Sequence, residues 1–114
     1  MAEDESQRPW GRYEILAEGD SHKVKTIWVN PGKRLSYQRH EKRAEHWFIV
    51  QGTGEVTIDG AISQVKPGDT VEFKIGVLHR LANTGKDEII FIEVQTGSYF
   101  GEDDIERLED DFGR

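Results

Sequence analysis

Cysteine is absent from the 114 residues, which removes disulfides, thiolate zinc sites and cysteine nucleophiles together. Any metal must then be held by histidine, carboxylate or amide. Basic residues are outnumbered, 15 lysines and arginines against 22 aspartates and glutamates. The resulting net charge of −7 argues against nucleic acid or an anionic membrane as partner. No apolar run approaches a membrane span, Phe48-Ile49-Val50 and Ile89-Ile90-Phe91-Ile92-Glu93-Val94 being the longest. The opening MAEDESQRPW is acidic and polar rather than basic then apolar, so no secretion signal is expected and the cytoplasm is the default location. Internal repeats and low-complexity tracts are missing as well.

What is present is the material of one domain. A chain of this length, 35% apolar and with 12 glycines, has the composition of an ordinary globular unit. Residues 1–7 lack apolar periodicity and read as a mobile arm, leaving 8–114 for the domain. Short runs of alternating or branched residues then follow at 12–17, 22–29, 46–50, 55–58, 62–65, 70–73, 77–82 and 88–95. Between them lie turn signals, the strongest being Asp59-Gly60. With the stretch around Gln38 this makes eight or nine strands, the pattern of an all-β sandwich or barrel. The run 46–50 is nearly continuous in aromatic and branched residues and reads as a strand covered on both faces. Trp28, Trp47 and Phe48 are expected in the core. Lys23 and Lys25 share a strand face, and charge on a strand ordinarily marks the wet side, so that face is assigned to solvent ahead of an anion-binding cavity. Residues 102–111 read as a helix, with Asp103-Asp104 at its start and Ile105, Leu108 and Phe112 at helical spacing.

One stretch concentrates donors. Gln38 and His40 stand at i and i+2, on one face of an extended strand, while Arg39 points the opposite way. A turn over 41–44 would bring Glu45 back to the same place. Three nitrogen or oxygen donors converging there suit a divalent transition metal, with a fourth donor still required.

The spacing Gly32, five residues, Gln38-Arg39-His40, four residues, Glu45, six residues, Gly52 resembles the first motif of the cupin family. Gly68, five residues, Lys74-Ile75-Gly76, two residues, His79, three residues, Asn83 is similar to the second. Gln38 stands where cupins usually have histidine, and Lys74 where they have proline. Within cupins the chain resembles the C-terminal domain of type II mannose-6-phosphate isomerases, which characteristically carries that glutamine. The matching words are Arg8-Pro9-Trp10-Gly11, Lys23-Val24-Lys25, Arg43-Ala44-Glu45-His46-Trp47, VLHRLAN from Val77 and the run from Ile92 to Ile105. The resemblance implies a single-domain cupin, an all-β jelly roll or double-stranded β-helix barrel, here apart from the mannose-1-phosphate guanylyltransferase to which such domains are usually fused.

It also implies a chemistry. His79 becomes the fourth donor, so that Gln38, His40, Glu45 and His79 would bind zinc, iron, manganese, cobalt or nickel. The expected reaction interconverts mannose 6-phosphate and fructose 6-phosphate by proton transfer through a cis-enediol. Glu93, inside an apolar run where burial would raise its pKa, is the leading general base, although the pattern leaves its face open. His46 is the alternative base, and Lys25 an acid or phosphate ligand. Arg43, Arg80, Arg34 and Arg8 are candidates for the phosphate. Gln95 and Tyr99, within the resembling stretch, join them as substrate contacts. Two other readings stay open, a non-catalytic sugar-phosphate or metal-binding module serving a separate guanylyltransferase, and an iron-dependent cupin oxidoreductase. Exposed strand edges suggest a homodimer, with residues 1–10 crossing between subunits.

Overall fold

Period-two burial runs through the longest strands of the chain, which a computed structural model describes over residues 6–112. Among the described residues eleven strands are formed: β1 (Gln7–Arg8), β2 (Gly11–Glu18), β3 (His22–Val29), β4 (Tyr37–Arg39), β5 (Arg43–Gln51), β6 (Gly54–Ile58), β7 (Ala61–Val65), β8 (Thr70–Phe73), β9 (His79–Ala82), β10 (Ile89–Gly97) and β11 (Glu106–Glu109). They pair into a six-stranded sheet in the order β1-β2-β3-β10-β5-β8 and a five-stranded sheet in the order β11-β4-β9-β6-β7. The fold is thus all-β, two sheets face to face. Asp59 and Gly60, both at positive φ, close the two-residue hairpin between β6 and β7, as that dipeptide predicts.

The apolar core lies between the sheets. Val29, Ile49, Ile89 and Phe91 come from the first sheet, and Val56 and Leu81 from the second. Toward one end of the same strands the inward positions turn polar. On β5 the inward residues run Arg43, Glu45, Trp47, Ile49, and on β10 Ile89, Phe91, Glu93, Gln95. On β3 they are Lys23, Lys25, Ile27 and Val29. Lys23 and Lys25 therefore face the interior, and their assignment to solvent is corrected. The reason is local: the interior at that end is a charged cavity, so burial and charge no longer oppose each other.

Three further expectations change. β5 is covered on one face, not both, and Phe48 (46% exposed) and Val50 lie on the outer side of the sheet. Trp28 is half-buried on that outer side beneath the Arg12 guanidinium, 3.6 Å from its ring centroid, so only Trp47 of the three expected aromatics is in the core. The helix expected over 102–111 is absent: the segment forms β11 and pairs with β4. β4 otherwise presents a free edge, and covering it outweighs the helical spacing of Ile105 and Leu108. Leu108 is exposed, whereas Ile105 and Arg107, two apart, turn to the cavity. Of the expected arm, residues 1–5 lie outside the described residues, and Gln7 pairs with Arg12 in the β1–β2 hairpin.

Close backbone approach at the polar end requires one glycine. Gly97 ends β10 at φ 153° opposite Arg43, and a β-carbon there would fall 2.1 Å from the Lys42 carbonyl oxygen. Gly97→Ala is expected to cost at least about 3 kcal/mol in urea unfolding. Gly68→Ala, at positive φ but with nothing within 4 Å, should cost only about 1 kcal/mol and separates steric clash from backbone strain.

Candidate metal centre and cavity

Glu45 organises the polar end. It is 4% exposed, and both its oxygens are engaged. Trp47 Nε1 donates to Oε1 at 3.1 Å, and Arg43 Nε donates to Oε2 at 2.9 Å. His79 Nε2 lies 3.7 Å from Oε1 and His40 Nε2 3.2 Å from Oε2. One ligand atom each from His40, Glu45 and His79 falls within 4.8 Å of the others. β5 carries the carboxylate, β9 one imidazole, and His40 follows β4 directly. Gln38, on β4, is paired with His79 across the ladder and lines the same cavity, its amide nitrogen donating to Ser36 Oγ at 2.9 Å.

The two imidazoles are fixed by their outer nitrogens. His40 Nδ1 lies 2.7 Å from the Asp104 main-chain oxygen and His79 Nδ1 3.0 Å from that of Val77. A carbonyl can only accept, so each Nδ1 carries the hydrogen, and in the neutral ring Nε2 presents a lone pair. Both lone pairs then face a carboxylate that is itself an acceptor. Such a meeting is repulsive unless positive charge lies within it. Arg43 supplies some, its Nη2 donating to His40 Nε2 at 3.3 Å. The donor set, two imidazoles oriented through carbonyls, one carboxylate and a nearby amide, fits a divalent transition ion. His79 is held further by stacking on Phe73, with ring centroids 4.1 Å apart and planes 7° off parallel.

Electrostatics divides the two buried glutamates. For Glu45, burial opposes ionisation, but His79, Arg43 and His40 outweigh it together with a hydrogen bond from Glu93, bringing its pKa down to about 2. For Glu93, burial and the Glu45 charge outweigh Lys25 and Arg43, pushing it up to about 8. Glu93 thus points inward, a question that alternation alone leaves open, and Gln95 Nε2 donates to its Oε1. For His40, burial is the largest influence and lowers its pKa, which keeps the ring neutral.

The space in front of these groups is a cavity of about 280 Å³. Glu45, Glu93, Gln38, His79, Arg43, Lys25 and Arg8 all reach its wall, with Trp10, Tyr13, Ile27 and Trp47 as apolar lining. It lies near the lower bound of small-molecule sites, roughly 300 Å³. Arg43 Nη1 is buried without a hydrogen-bond partner, a donor held ready beside the carboxylate pair. Lys25, 3% exposed, forms an ion pair with Glu102.

Several candidate residues lie elsewhere. His46 is next to Glu45 on β5 and therefore faces outward, exposed and 3.9 Å from Glu72. Arg80 alternates with His79 on β9 and turns to the far side, donating to Leu35 O at 2.9 Å and to Glu109. Arg34 is a surface cation bound through two nitrogens to Asp111. Tyr99 is exposed and donates to Asp103. Gln95 is sealed from solvent and its amide nitrogen donates to Glu93. Helical spacing in the tail does not single out Glu102, Asp104 and Arg107, which the structure brings to the site. A strand alternation, pairing Ile105 with Arg107, was the signal available.

Known proteins resemble this chain in sequence and in fold. The family described as Mannose-6-phosphate isomerase C-terminal matches residues 2–110. The Alginate biosynthesis protein AlgA of Pseudomonas aeruginosa is 51% identical over 110 residues, covering 96% of this chain and 23% of that protein. A Mannose-1-phosphate guanylyltransferase of Escherichia coli (strain K12) is 46% identical over the same coverage. The Xanthan biosynthesis protein XanB of Xanthomonas campestris is 49% identical over 107 residues, 94% of this chain and 23% of that one. The chain therefore spans about a quarter of the length of these curated relatives. Among solved structures, a Klebsiella pneumoniae protein with a double-stranded beta-helix domain superposes with a TM-score of 0.78 at 23% identity, covering 93% of both chains. A Cupin 2 conserved barrel domain protein from Salinispora arenicola gives 0.69 at 22% identity over 77% of this chain and 76% of that one. These two likenesses establish the cupin barrel as the fold, and the family match places the chain in the mannose-6-phosphate isomerase C-terminal family.

Proposed function

We propose that the cavity interconverts mannose 6-phosphate and fructose 6-phosphate by moving a proton between carbons 1 and 2 of the open-chain sugar through a cis-enediol. One observation carries the reading: a His–Glu–His cluster, two of whose members, Glu45 and His79, line the cavity, stands beside a second buried carboxylate on the same wall, Glu93, whose proton affinity is raised toward neutrality. Gln38, His40, Glu45 and His79 would hold zinc, iron, manganese, cobalt or nickel. When bound, the ion supplies Lewis-acid polarisation of the sugar's carbonyl.

The remaining work falls to the chain's own side chains. Glu93 takes the proton from carbon 2 and returns it to carbon 1, while the hydroxyl hydrogen passes between the two oxygens. A carboxylic acid with proton affinity near neutrality can do both. The unpartnered Arg43 Nη1 donates to the oxygen on which negative charge develops. Arg8, Lys25 and Arg107 give the cavity wall the positive charge a phosphate needs, in a chain that is acidic overall. Tyr13, Ile27 and Trp47 exclude water from the reacting carbons. A guanylyltransferase unit as partner, within one polypeptide or as a separate protein, fits the name of the Escherichia coli relative, and a homodimer remains the proposed assembly.

Chelation followed by dialysis should abolish the conversion of mannose 6-phosphate in an assay coupled to fructose 6-phosphate, and adding back one divalent ion should restore it. Turnover that survives complete demetallation contradicts the mechanism, and sugar-phosphate binding without turnover identifies a non-catalytic module instead. Glu93→Gln should lower kcat by at least about a hundredfold with metal content unchanged, since it removes the base and leaves the ligands. His46→Gln, on the outer face, should stay near wild-type activity. Equal turnover by Glu93→Gln and wild type would remove Glu93 from its role.

A further inference from the structure

We propose that Asp104 is the positioning residue for His40, making the C-terminal segment a working part of the metal centre and more than a cover for the β4 edge. The proposal rests on the reading of the His–Glu–His cluster as a cation site. His40 lies between β4 and β5 and belongs to neither, so no strand ladder sets its ring. What sets it is the Asp104 main-chain oxygen, 64 residues away in sequence and 2.7 Å from Nδ1.

Asp104 is itself clamped to the turn that follows His40. Its Oδ1 accepts from the Glu41 amide at 3.0 Å and its Oδ2 from the Lys42 amide at 2.9 Å, while its own amide donates to Gly101 O at 3.2 Å. One residue thus grips the ring with its carbonyl and the adjoining backbone with its carboxylate. Moving either contact moves the other. The result is a single tautomer, with hydrogen on Nδ1 and the Nε2 lone pair directed at Glu45 and Arg43. Among the described residues, no other hydrogen-bond partner of Nδ1 would select that tautomer or aim the ring without the clamp. Asp103, next in sequence, does none of this, being engaged with the Tyr99 hydroxyl at the surface.

The test needs no turnover. Side-chain ¹⁵N shifts of the metal-free protein should show His40 with hydrogen on Nδ1 alone, and cobalt(II) titration should give a defined affinity and d–d spectrum. Asp104→Ala should mix the tautomers, weaken cobalt(II) binding by about 10- to 100-fold and alter the spectrum. Asp104→Asn, keeping one oxygen for the turn, should fall between Asp104→Ala and wild type, and Asp103→Ala should match wild type. Should Asp104→Ala fail to fold, Asp104→Asn decides. A single His40 tautomer and cobalt(II) affinity within about twofold of wild type in the folded Asp104 variant would overturn the proposal alone. Wild-type protein that takes up no cobalt(II) would overturn both it and the cation reading beneath it.

Discussion

Removing a carboxylate from water costs several kcal/mol unless charge and hydrogen bonds compensate, and Glu45 meets that requirement at the centre of a β barrel. Its compensation comes from Arg43 and Trp47, which donate to it, and two imidazoles close around it. Arg43 and Trp47 flank it on β5, His79 arrives from the opposite sheet and His40 from the turn after β4. The same ion then shapes its neighbours. It raises the proton affinity of Glu93, while Lys25 and Arg43 balance the charge that remains. The inner faces of β3, β5 and β10 are accordingly split, apolar at one end to hold the sheets together and ionic at the other to build a site. Stability and chemistry are carried by the same three strands.

The parts of this arrangement legible in the sequence are those fixed by period or by turn chemistry. Asp59-Gly60 needs positive φ at both residues and therefore announces its hairpin. Gln38 and His40, two apart, and Glu45 beyond a short turn could be placed together before any fold was known. Glu93 could be seen as unusual within an apolar run, but only pairing with Lys25 and Trp47 fixes the face on which it lies.

What could not be read depends on what lies opposite. Lys23 and Lys25 carry the ordinary signature of a wet face, and only the acidic groups across the cavity reverse it. Arg80 stands beside a proposed ligand in sequence, yet alternation on β9 turns it to the other side of the sheet. The tail shows the same limit. Its helical spacing is a local signal, whereas the open edge of β4 is a tertiary one, and the tertiary demand decides. With that strand in place, Glu102, Asp104 and Arg107 enter the neighbourhood of the site from a segment that composition alone describes as a solvated acidic end.

The central claim is that the lone pairs of His40 and His79 and the Glu45 carboxylate converge on a cation. An anomalous-difference map from crystals grown with cobalt(II), collected at the cobalt edge, tests it most directly. The account predicts one peak in the cavity at bonding distance, about 2.0–2.2 Å, from Nε2 of both histidines and an oxygen of Glu45, with the Gln38 amide alongside. A cavity without such a peak, its histidines hydrogen-bonded to Glu45 through protons on Nε2, would contradict it.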